Sequence, residues 1–324
     1  LFSNKKLVSG TLGGGLLEAE AHKKSIEARK NRKSLLWEFK LEDDMNSEDG
    51  AICGGKIKIL IEACPENNIE IFRKVFQALR QRKSGILTAF INIISKEKVT
   101  VSRSWLEGVD ESLPFIGKTP ADLGKEIAER LSERKPCLYK LDEKMLNVRA
   151  KEGWLFLEPI SPFPQLYIIG AGHIGQVVSR LASMLSFEVT VIDDRPEFAN
   201  KQRLPDADHI IADDIKKTLK GLSDSSDRYY VIVSRGHQHD ANALREIINS
   251  RAAYIGMIGS KRKVRLMREE FLKQGWATAH QFDSVYTPIG IDINSKTVEE
   301  IGISIAAQLV QVRSEVVKKA KRSG

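Results

Sequence analysis

The chain contains few cysteines and no long hydrophobic run. Only three of its 324 residues are cysteines, Cys53, Cys64 and Cys137, and no two of them form a Cys-x-x-Cys pair. This scarcity excludes a disulfide scaffold and a four-cysteine zinc site, and it is typical of proteins from a reducing compartment. No apolar run approaches the roughly 18 to 20 residues that span a bilayer, and no secretory leader is visible. We therefore expect a cytoplasmic protein with no membrane partner. Because the first residue is Leu1 and not methionine, we expect the native start to lie upstream.

Aromatic residues are also scarce, at 7%, and none is interleaved with the basic clusters at 22–33, 259–265 and 318–322. Lys and Arg exceed Asp and Glu by 51 to 43, which gives a formal net charge of +8. A basic balance alone is a weak indication of nucleic-acid binding. We therefore predict no nucleic-acid partner and expect the local cationic loops to bind an anionic small ligand.

Length and composition predict two globular domains, since 42% of the residues are hydrophobic and 29% are charged. Residues 1–150 mix helices with short strands of alternating polarity, which predicts an α+β domain with antiparallel pairing. Residues 151–165 contain Pro159, Pro162 and Pro164, which cannot propagate a helix or occupy a central ladder. This segment is therefore predicted to be an interdomain linker.

From residue 166 onward, short apolar strands alternate with loops and helices. Strands of this kind are typical of a parallel sheet that is buried on both faces. The strand candidates are 166–170, 188–193, 209–213, 229–234 and 252–259. A capping-box pattern at 297–300 introduces the last helix. Residues 166–324 are therefore predicted to form a Rossmann-like domain, so that the fold class is α/β with a doubly wound parallel sheet and an added α+β domain.

A glycine-rich loop lies between the first of these strands and a helix. Its glycines, Gly170, Gly172 and Gly175, permit a tight turn, close approach to a phosphate and tight helix packing. The helix start offers unpaired N–H groups to an anion. Asp193 ends the second strand, where a carboxylate normally meets a ribose hydroxyl. The pattern predicts a nucleotide or phosphate site, and the alternative is that the glycines serve packing alone.

Two other side chains accompany this loop. His173 is either a ligand contact or simply the first residue of the helix, and Arg195 lies close enough to Asp193 to place a guanidinium near a second phosphate. No Tyr-x-x-x-Lys pair or comparable acid–base set is evident. The sequence therefore indicates a cofactor fold without indicating a reaction.

Two more loops follow the fourth and fifth strands, at the sheet edge where ligands bind. Loop 234–241 contains a His-x-His pair, which supplies two metal ligands on one interpretation and polar contacts to a ligand on the other. Its Asp240 is either part of the same site or the N-cap of the following helix. Loop 258–263 is a candidate anion nest or, alternatively, a solvated basic helix start. The residues predicted to contact a ligand here are Arg235, His237, Ser260 and Lys261.

A second glycine cluster, within SGTLGGGLLEAE at 9–20, has neither the preceding strand nor the downstream acid of a dinucleotide loop. Together with these residues, five other co-linear segments resemble XdhC-type xanthine dehydrogenase accessory proteins. The resemblance runs through nearly the whole chain except 64–165. The segments that carry it are 10–21, 50–63, 166–200, 234–244, 254–264 and 287–310.

This resemblance implies a role in the maturation of molybdenum hydroxylases. Such proteins bind molybdenum cofactor, promote replacement of an oxo ligand by sulfur together with a cysteine desulfurase, and help to insert the product into an apoenzyme such as xanthine dehydrogenase. They are typically cytoplasmic and often dimeric. The resemblance therefore implies a maturation chaperone rather than an enzyme, with molybdenum cofactor as its ligand and a homodimer as its assembly.

The resemblance also implies site residues in the N-terminal half. These are Gly13, Gly14, Gly15 and Glu18 in the first motif and Cys53, Gly54 and Gly55 in the second. A thiolate is a soft ligand suited to molybdenum, so Cys53 is the implied metal ligand, with an inert buried thiol as the alternative. Part of the family has a cysteine where this chain has Leu16, which leaves Cys53 as the main candidate for a sulfur contact.

Two competing hypotheses remain. The first is an NAD(P)-dependent oxidoreductase in which Asp193 binds the ribose and Cys53 or His173 assists the chemistry. The second is an interaction scaffold that binds no ligand. The sequence leaves open whether the predicted crevice holds a nicotinamide nucleotide or a pterin.

Overall fold

The computed structural model describes residues 1–3, 6–41, 55–95, 98–107, 129–130, 135–141 and 152–323. The chain divides into two compact units, Leu1–Pro162 and Phe163–Gly324. Within the described ranges no helix combines the length and the hydrophobicity that crossing a bilayer requires.

The first unit contains antiparallel sheets and helices, as its mixed pattern predicts. Its elements are α1 (Gly15–Asn31), β1 (Leu35–Leu41), β2 (Gly55–Ile61), a 3-10 turn (Pro65–Asn68), α2 (Ile69–Arg80), β3 (Gly85–Ser95), β4 (Lys98–Leu106), β5 (Cys137–Leu141) and β6 (Glu152–Ile160). Strands β1 and β2 form one antiparallel pair, and the other four form a sheet in the order β4-β3-β6-β5. Helix α2 packs Val75 and Ala78 against Leu87 and Trp105 of this second sheet.

The prediction that residues 151–165 form a linker is wrong for most of the segment. Residues 152–160 form β6, which lies inside the four-stranded sheet between β3 and β5. Pro159 is tolerated because the pairing of β5 with β6 covers only 153–157, whereas β3 continues beside β6 as far as Ile160. At Pro159 the strand therefore has one described neighbour instead of two, as at a sheet edge.

The second unit is a doubly wound sheet. Its elements are β7 (Gln165–Ile169), α3 (His173–Met184), β8 (Glu188–Ile192), β9 (His209–Ile211), α4 (Ile215–Lys220), β10 (Arg228–Ile232), α5 (His237–Ile247), β11 (Tyr254–Met257), α6 (Lys261–Lys273), α7 (Ala279–Asp283) and α8 (Val298–Ser323). The strand order is β11-β10-β7-β8-β9, and every pair is parallel. Chain direction across the sheet reverses between β7 and β10, which is the topological switch point of a Rossmann fold.

Helices cover both faces of this sheet, and alternate residues of each strand face opposite cores. Leu166 and Ile168 of β7 pack in one core together with residues of α3 and α8, whereas Tyr167 and Ile169 pack in the other with residues of α5 and α6. Burial on both faces explains why the strands have no polar alternation in the sequence. The carboxyl ends of β7, β8, β10 and β11 consequently meet at one edge, where the predicted site residues of this unit lie.

Candidate functional site

The glycine loop between β7 and α3 contains two glycines that the fold itself requires. Gly170 has a φ of +116°, and a Cβ atom there would lie 2.5 Å from the carbonyl oxygen of Val233. A Cβ atom on Gly175 would lie 2.0 Å from the carbonyl oxygen of Gly170. These two positions admit only glycine because strand, loop and helix approach one another so closely. Packing is therefore a sufficient reason for two of the three glycines.

Gly172 differs from the other two, because no described atom lies within 4 Å of the position that its Cβ would occupy. Its φ of −70° and ψ of −170° are accessible to any residue. It is the N-cap of α3, and no side chain of the described residues caps this helix start. His173 follows as the first, exposed residue of the helix. The switch point therefore has an uncapped helix start, which is the arrangement that binds anions.

Asp193 lies beside this loop but is fully engaged within the protein. Its Oδ2 accepts hydrogen bonds from the backbone N–H of Ala171 at 2.8 Å and from Arg195 Nη2 at 2.8 Å. Its Oδ1 accepts from the backbone N–H of Arg195 at 3.1 Å and from Arg195 Nε at 2.8 Å. A carboxylate offers about four acceptor positions, and all four are used. In this conformation Asp193 has no acceptor left for a ribose hydroxyl.

The electrostatics of this pair are those of a stable internal ion pair. Burial of Asp193 raises the pKa of its carboxyl group, but the hydrogen bonds from Arg195 and Ala171 lower it by more, so the pKa lies below the ordinary value for aspartate. The hydrogen bond with Asp193 also raises the pKa of the Arg195 guanidinium. The guanidinium carbon lies 3.8 Å from the ring centroid of Phe198. Arg195 is therefore held in place from two sides and does not extend freely toward a second phosphate.

Arg235 connects the two sides of the crevice. It follows β10, and its Nη2 donates a hydrogen bond at 3.1 Å to Oδ2 of Asp194, which follows β8. Because β7 lies between β8 and β10 in the sheet, this ion pair passes the end of β7 where the glycine loop begins. Both side chains are partly exposed, so the pair contributes little to stability. Sequence reasoning singled out Arg235 but not its partner Asp194, which is 41 residues away.

The alternative that the His-x-His pair binds a metal is wrong, because this segment is the first turn of α5 and not an extended loop. His237 and His239 are two positions apart on a helix, so their side chains do not face each other. No group of three or more potential ligands that could hold a metal ion occurs among the residues that the structure describes.

Asp240 is not the N-cap of α5, which is Gly236. It is fully buried in the first turn, where its Oδ1 accepts hydrogen bonds from the backbone N–H and the hydroxyl of Ser234. Its Oδ2 accepts from Lys263 Nζ. This buried ion pair joins the end of β10 to the start of α6. No local pattern indicated it, because the two residues are 23 positions apart.

A groove of about 520 Å³ lies between α5 and α6. It brings together two of the predicted residues, His237 and Ser260. Ser260 is the N-cap of α6, and its hydroxyl accepts a hydrogen bond from the backbone N–H of Lys263 at 3.3 Å. Lys261 is exposed and does not belong to the lining of the groove. The cationic loop therefore begins a helix beside a groove, and its serine serves the helix itself.

In the first unit, the glycine cluster forms a loop that ends at the start of α1. Gly13, Gly14 and Gly15 all have positive φ values, between +61° and +98°, and no atom lies near the position of any added Cβ. The Glu18 carboxylate closes this loop by accepting hydrogen bonds from the backbone N–H of Leu12 at 3.0 Å and the hydroxyl of Thr11 at 3.1 Å. These two hydrogen bonds lower the pKa of Glu18 below its ordinary value. Glu18 thus supports the loop from within.

Cys53 and Gly54 lie outside the described residues, and Gly55 is the first residue of β2, paired with Leu41. Sequence reasoning missed a different thiol, Cys64, which is half-buried and lines a cavity of about 750 Å³ together with Leu12 of the glycine loop. The same cavity is lined by an ion pair between Glu62 and Arg103, with distances of 2.7 and 3.0 Å to Glu62 Oε2. Nothing in the spacing of Cys64 along the sequence indicated that it borders a cavity.

Comparison with known proteins identifies the second unit. Residues 166–309 match the family model described as the XdhC Rossmann domain. The chain therefore contains an XdhC Rossmann domain. The chain is 24% identical over 320 residues to a protein of Bacillus subtilis that is named as a probable xanthine dehydrogenase subunit, and the match covers 98% of this chain and 88% of that protein. It is 29% identical over 197 residues to the uncharacterised protein YqeB of Escherichia coli, a match that covers 59% of this chain and 36% of that protein.

Among solved structures, this chain is similar to one described as a xanthine dehydrogenase from Bacillus halodurans. The two share 26% sequence identity with a TM-score of 0.72, and the match covers 97% of this chain and 85% of that one. The similarity therefore extends over both units of the chain and not only over the Rossmann domain.

Within the second unit, the predicted site residues lie in two places. Gly170, Gly172, His173, Gly175, Asp193, Arg195 and Arg235 lie around the end of β7, whereas His237 and Ser260 line the groove between α5 and α6, next to Lys261. Within the first unit, Gly13, Gly14, Gly15 and Glu18 form one loop. The position around β7 combines an uncapped helix start with a cation, Arg235, at the same sheet edge.

Proposed function

We propose that this protein is a member of the XdhC family and an accessory protein for a xanthine dehydrogenase. In this role it binds the molybdenum cofactor of the enzyme as cargo, supports its sulfuration by a cysteine desulfurase and delivers it to the apoenzyme. We propose further that it acts as a homodimer in the cytoplasm. The accessory role is supported by the XdhC Rossmann domain and by the xanthine dehydrogenase names of the two relatives that match most of the chain.

The observation that carries the cargo-binding part is the open start of α3. Gly172 has space for a side chain and a backbone conformation that any residue adopts, so the fold does not explain why glycine occupies this position. An anionic group of the ligand, such as a phosphate, fits that space because it would accept hydrogen bonds from the uncapped N–H groups of α3. His173 is the first residue of α3, and Arg235 follows β10 at the same sheet edge. We propose both side chains as further contacts.

The competing hypothesis, an NAD(P)-dependent oxidoreductase, has weaker support. It needs Asp193 to accept a hydrogen bond from a ribose hydroxyl, yet all four acceptor positions of this carboxylate are occupied by Ala171 and Arg195. A ribose would have to displace a partly buried guanidinium that also stacks on Phe198. Moreover, the described crevice offers no pair of side chains in obvious acid–base roles. A ligand bound through its phosphate alone avoids this conflict.

For the first unit we propose that the loop at Gly13–Gly15 offers its backbone amides to the same kind of cargo. Glu18 would hold the loop in shape, since its carboxylate already binds Leu12 and Thr11. Cys53 remains our candidate for a sulfur contact with molybdenum, because a thiolate is a soft ligand.

The experiment that tests the proposal is a binding titration of the purified protein with molybdenum cofactor, NADH and NADPH in parallel. We expect the wild type to bind the molybdenum cofactor and neither nicotinamide nucleotide tightly. The Gly172→Leu variant should bind the cofactor at least about tenfold more weakly, because its side chain occupies the anion position. Its melting temperature should stay close to that of the wild type. In the same titration, Cys53→Ala should lower the affinity if the thiolate contacts molybdenum.

The matched control is Gly221→Leu. Gly221 is an exposed residue with an ordinary φ of −76°, and the nearest atom to its added Cβ would be 3.5 Å away. This variant should bind the cofactor like the wild type. Tight binding of NADH or NADPH with turnover, or full cofactor affinity in Gly172→Leu, would contradict the proposal.

A further inference from the structure

The first turn of α6 breaks a rule that stabilises helices. Three consecutive basic residues, 261–263, occupy the positive end of the helix dipole, and no acidic residue is present in this turn. The acids of the helix, Glu269 and Glu270, come two turns later. Cations at a helix start are unfavourable, and a local rule is commonly broken where function requires it.

Among the residues that the structure describes, Lys263 is the only one of these three cations with an acidic partner. It donates to the buried carboxylate of Asp240. Lys261, Arg262 and the nearby Arg265 are exposed, and none of them has an acidic partner within the described part of the chain. Two other cations of this unit do have one, Arg268 with Asp283 and Arg251 with Asp224. The start of α6 therefore concentrates three exposed cations without a described acidic partner.

This positive surface borders an apolar groove. Leu266 is 52% exposed, although it is a large hydrophobic residue, and it lies one helical turn after Arg262. Both line the 520 Å³ groove between α5 and α6, together with Ala241 and the buried Met267. Lys261 and Arg265, also one turn apart, lie outside the lining and extend the positive surface beside it. We call Lys261, Arg262, Arg265 and Leu266 the α6 patch.

We propose that the α6 patch is the docking surface for an acidic segment of the client apoenzyme, which inserts an apolar side chain into the groove. The inference rests on the proposed accessory function and adds the place of contact. The patch combines three exposed cations with an exposed leucine beside a groove, and an acidic segment that carries an apolar side chain matches both features. Charge complementarity of this kind accelerates association and selects the partner.

A protein segment fits this surface better than a nucleic acid does. The described lining of the groove contains no Phe, Tyr or Trp on which a base could stack. It offers instead an exposed leucine beside the cations. An apolar anchor flanked by carboxylates matches these features in both polarity and sign.

The test measures binding of the purified wild-type protein to the apo form of the xanthine dehydrogenase from the same organism, by biolayer interferometry at low salt. We expect the triple variant K261E/R262E/R265E to bind at least about tenfold more weakly, mainly through slower association. The variant Leu266→Ser should bind with the same association rate but dissociate faster. Binding of the wild type should weaken as salt is added, because salt screens exposed charges.

The control is the triple variant R180E/K220E/K296E, which makes the same change in net charge at three exposed cations outside the patch. It should bind the apoenzyme nearly like the wild type, and both triples should melt like the wild type. If the two triples weaken binding equally, the α6 patch is not the docking surface, while the proposed function stands. If the wild type does not bind the apoenzyme at all, the proposed function fails and this inference with it. Binding of duplex DNA that the patch triple alone abolishes would overturn the assignment to a protein partner.

Discussion

At the scale of single residues, Asp193 shows that the function of a carboxylate depends on which hydrogen-bond donors already occupy its acceptor positions. Its place after the second strand of a Rossmann sheet predicts a contact with ribose. In the structure the same carboxylate holds the glycine loop through Ala171 and the following loop through Arg195. The sequence places the acid correctly, but it does not say which hydrogen-bond donors reach it first. Here the donors come from the protein itself, so Asp193 positions the loop that contains the half-buried Gly172.

This role makes Asp193 important for stability. Replacing Asp193 by Asn should lower the free energy of unfolding at pH 7 by about 2 to 3 kcal/mol, because it leaves the partly buried Arg195 with only the more distant Asp194, at 4.0 Å, as an acidic partner. The amide nitrogen of Asn would also face a donor, since both carboxylate oxygens now accept hydrogen bonds. Chemical denaturation of wild type and variant at pH 7 measures the difference. A decrease in unfolding free energy of less than about 1 kcal/mol would contradict this prediction, because it is the contribution expected of an exposed surface ion pair.

The pKa of Asp193 also sets a pH dependence. Because the folded-state pKa is lowered, the ion pair stabilises the protein fully above the unfolded-state value of about 4. That contribution is lost as the pH falls through the folded-state pKa. The difference in unfolding free energy between wild type and Asp193→Asn should therefore narrow below about pH 4. An unchanged difference between pH 7 and pH 3 would contradict the lowered pKa.

At the scale of elements, the contact between α3 and α8 depends on one glycine. A Cβ atom on Gly302 of α8 would lie 2.3 Å from Cγ1 of Val177 on α3. The Gly302→Ala variant should therefore be less stable by roughly 1 to 3 kcal/mol, even though alanine favours helices, because one of the two packed helices has to shift. Thermal unfolding followed by circular dichroism checks this expectation.

The control for this prediction is Gly221→Ala. Its backbone conformation is ordinary, and its added methyl group would make normal contacts at 3.5 Å or more. We expect this variant to be neutral or slightly more stable, because alanine reduces the freedom of the unfolded chain. If Gly302→Ala melts at the same temperature as Gly221→Ala, the close packing of α3 and α8 does not depend on the glycine.

Elements also show where patterns in the sequence mislead. The strands of the second unit are evident from their apolar runs, and the capping box of α8 is formed as predicted by Thr297 and Glu300. The prolines of 151–165 predicted a linker instead of β6. A proline cannot donate a hydrogen bond within a sheet, but the sequence does not show that the neighbouring strand β5 ends before it reaches Pro159. Similarly, the segment predicted to be a loop at His237 is the first turn of α5, which begins at that residue.

At the scale of the whole molecule, the second unit contains both of its hydrophobic cores. Every residue of the two clusters that cover its sheet lies within 163–324. We therefore expect a fragment of residues 163–324 to fold alone and to unfold in one cooperative thermal transition, since a chain of this length buries enough surface for an independent domain. Circular dichroism in the near ultraviolet during heating tests this. A broad transition without near-ultraviolet signal would show that the unit depends on the first one.

The sequence by itself determined the strand and helix succession of the second unit, its Rossmann class and the position of its glycine loop. These follow from local periodicity and from backbone requirements that a few neighbouring residues express. Only the tertiary structure decided which predicted groups remain available to a ligand. Asp193, Asp194 and Asp240 are engaged by partners 22, 41 and 23 residues away, respectively, whereas the start of α3 is not capped by a side chain. Hydrogen bonds between residues so distant in sequence arise because the parallel strands bring their carboxyl ends to one edge, and no local pattern encodes which donor meets which acceptor.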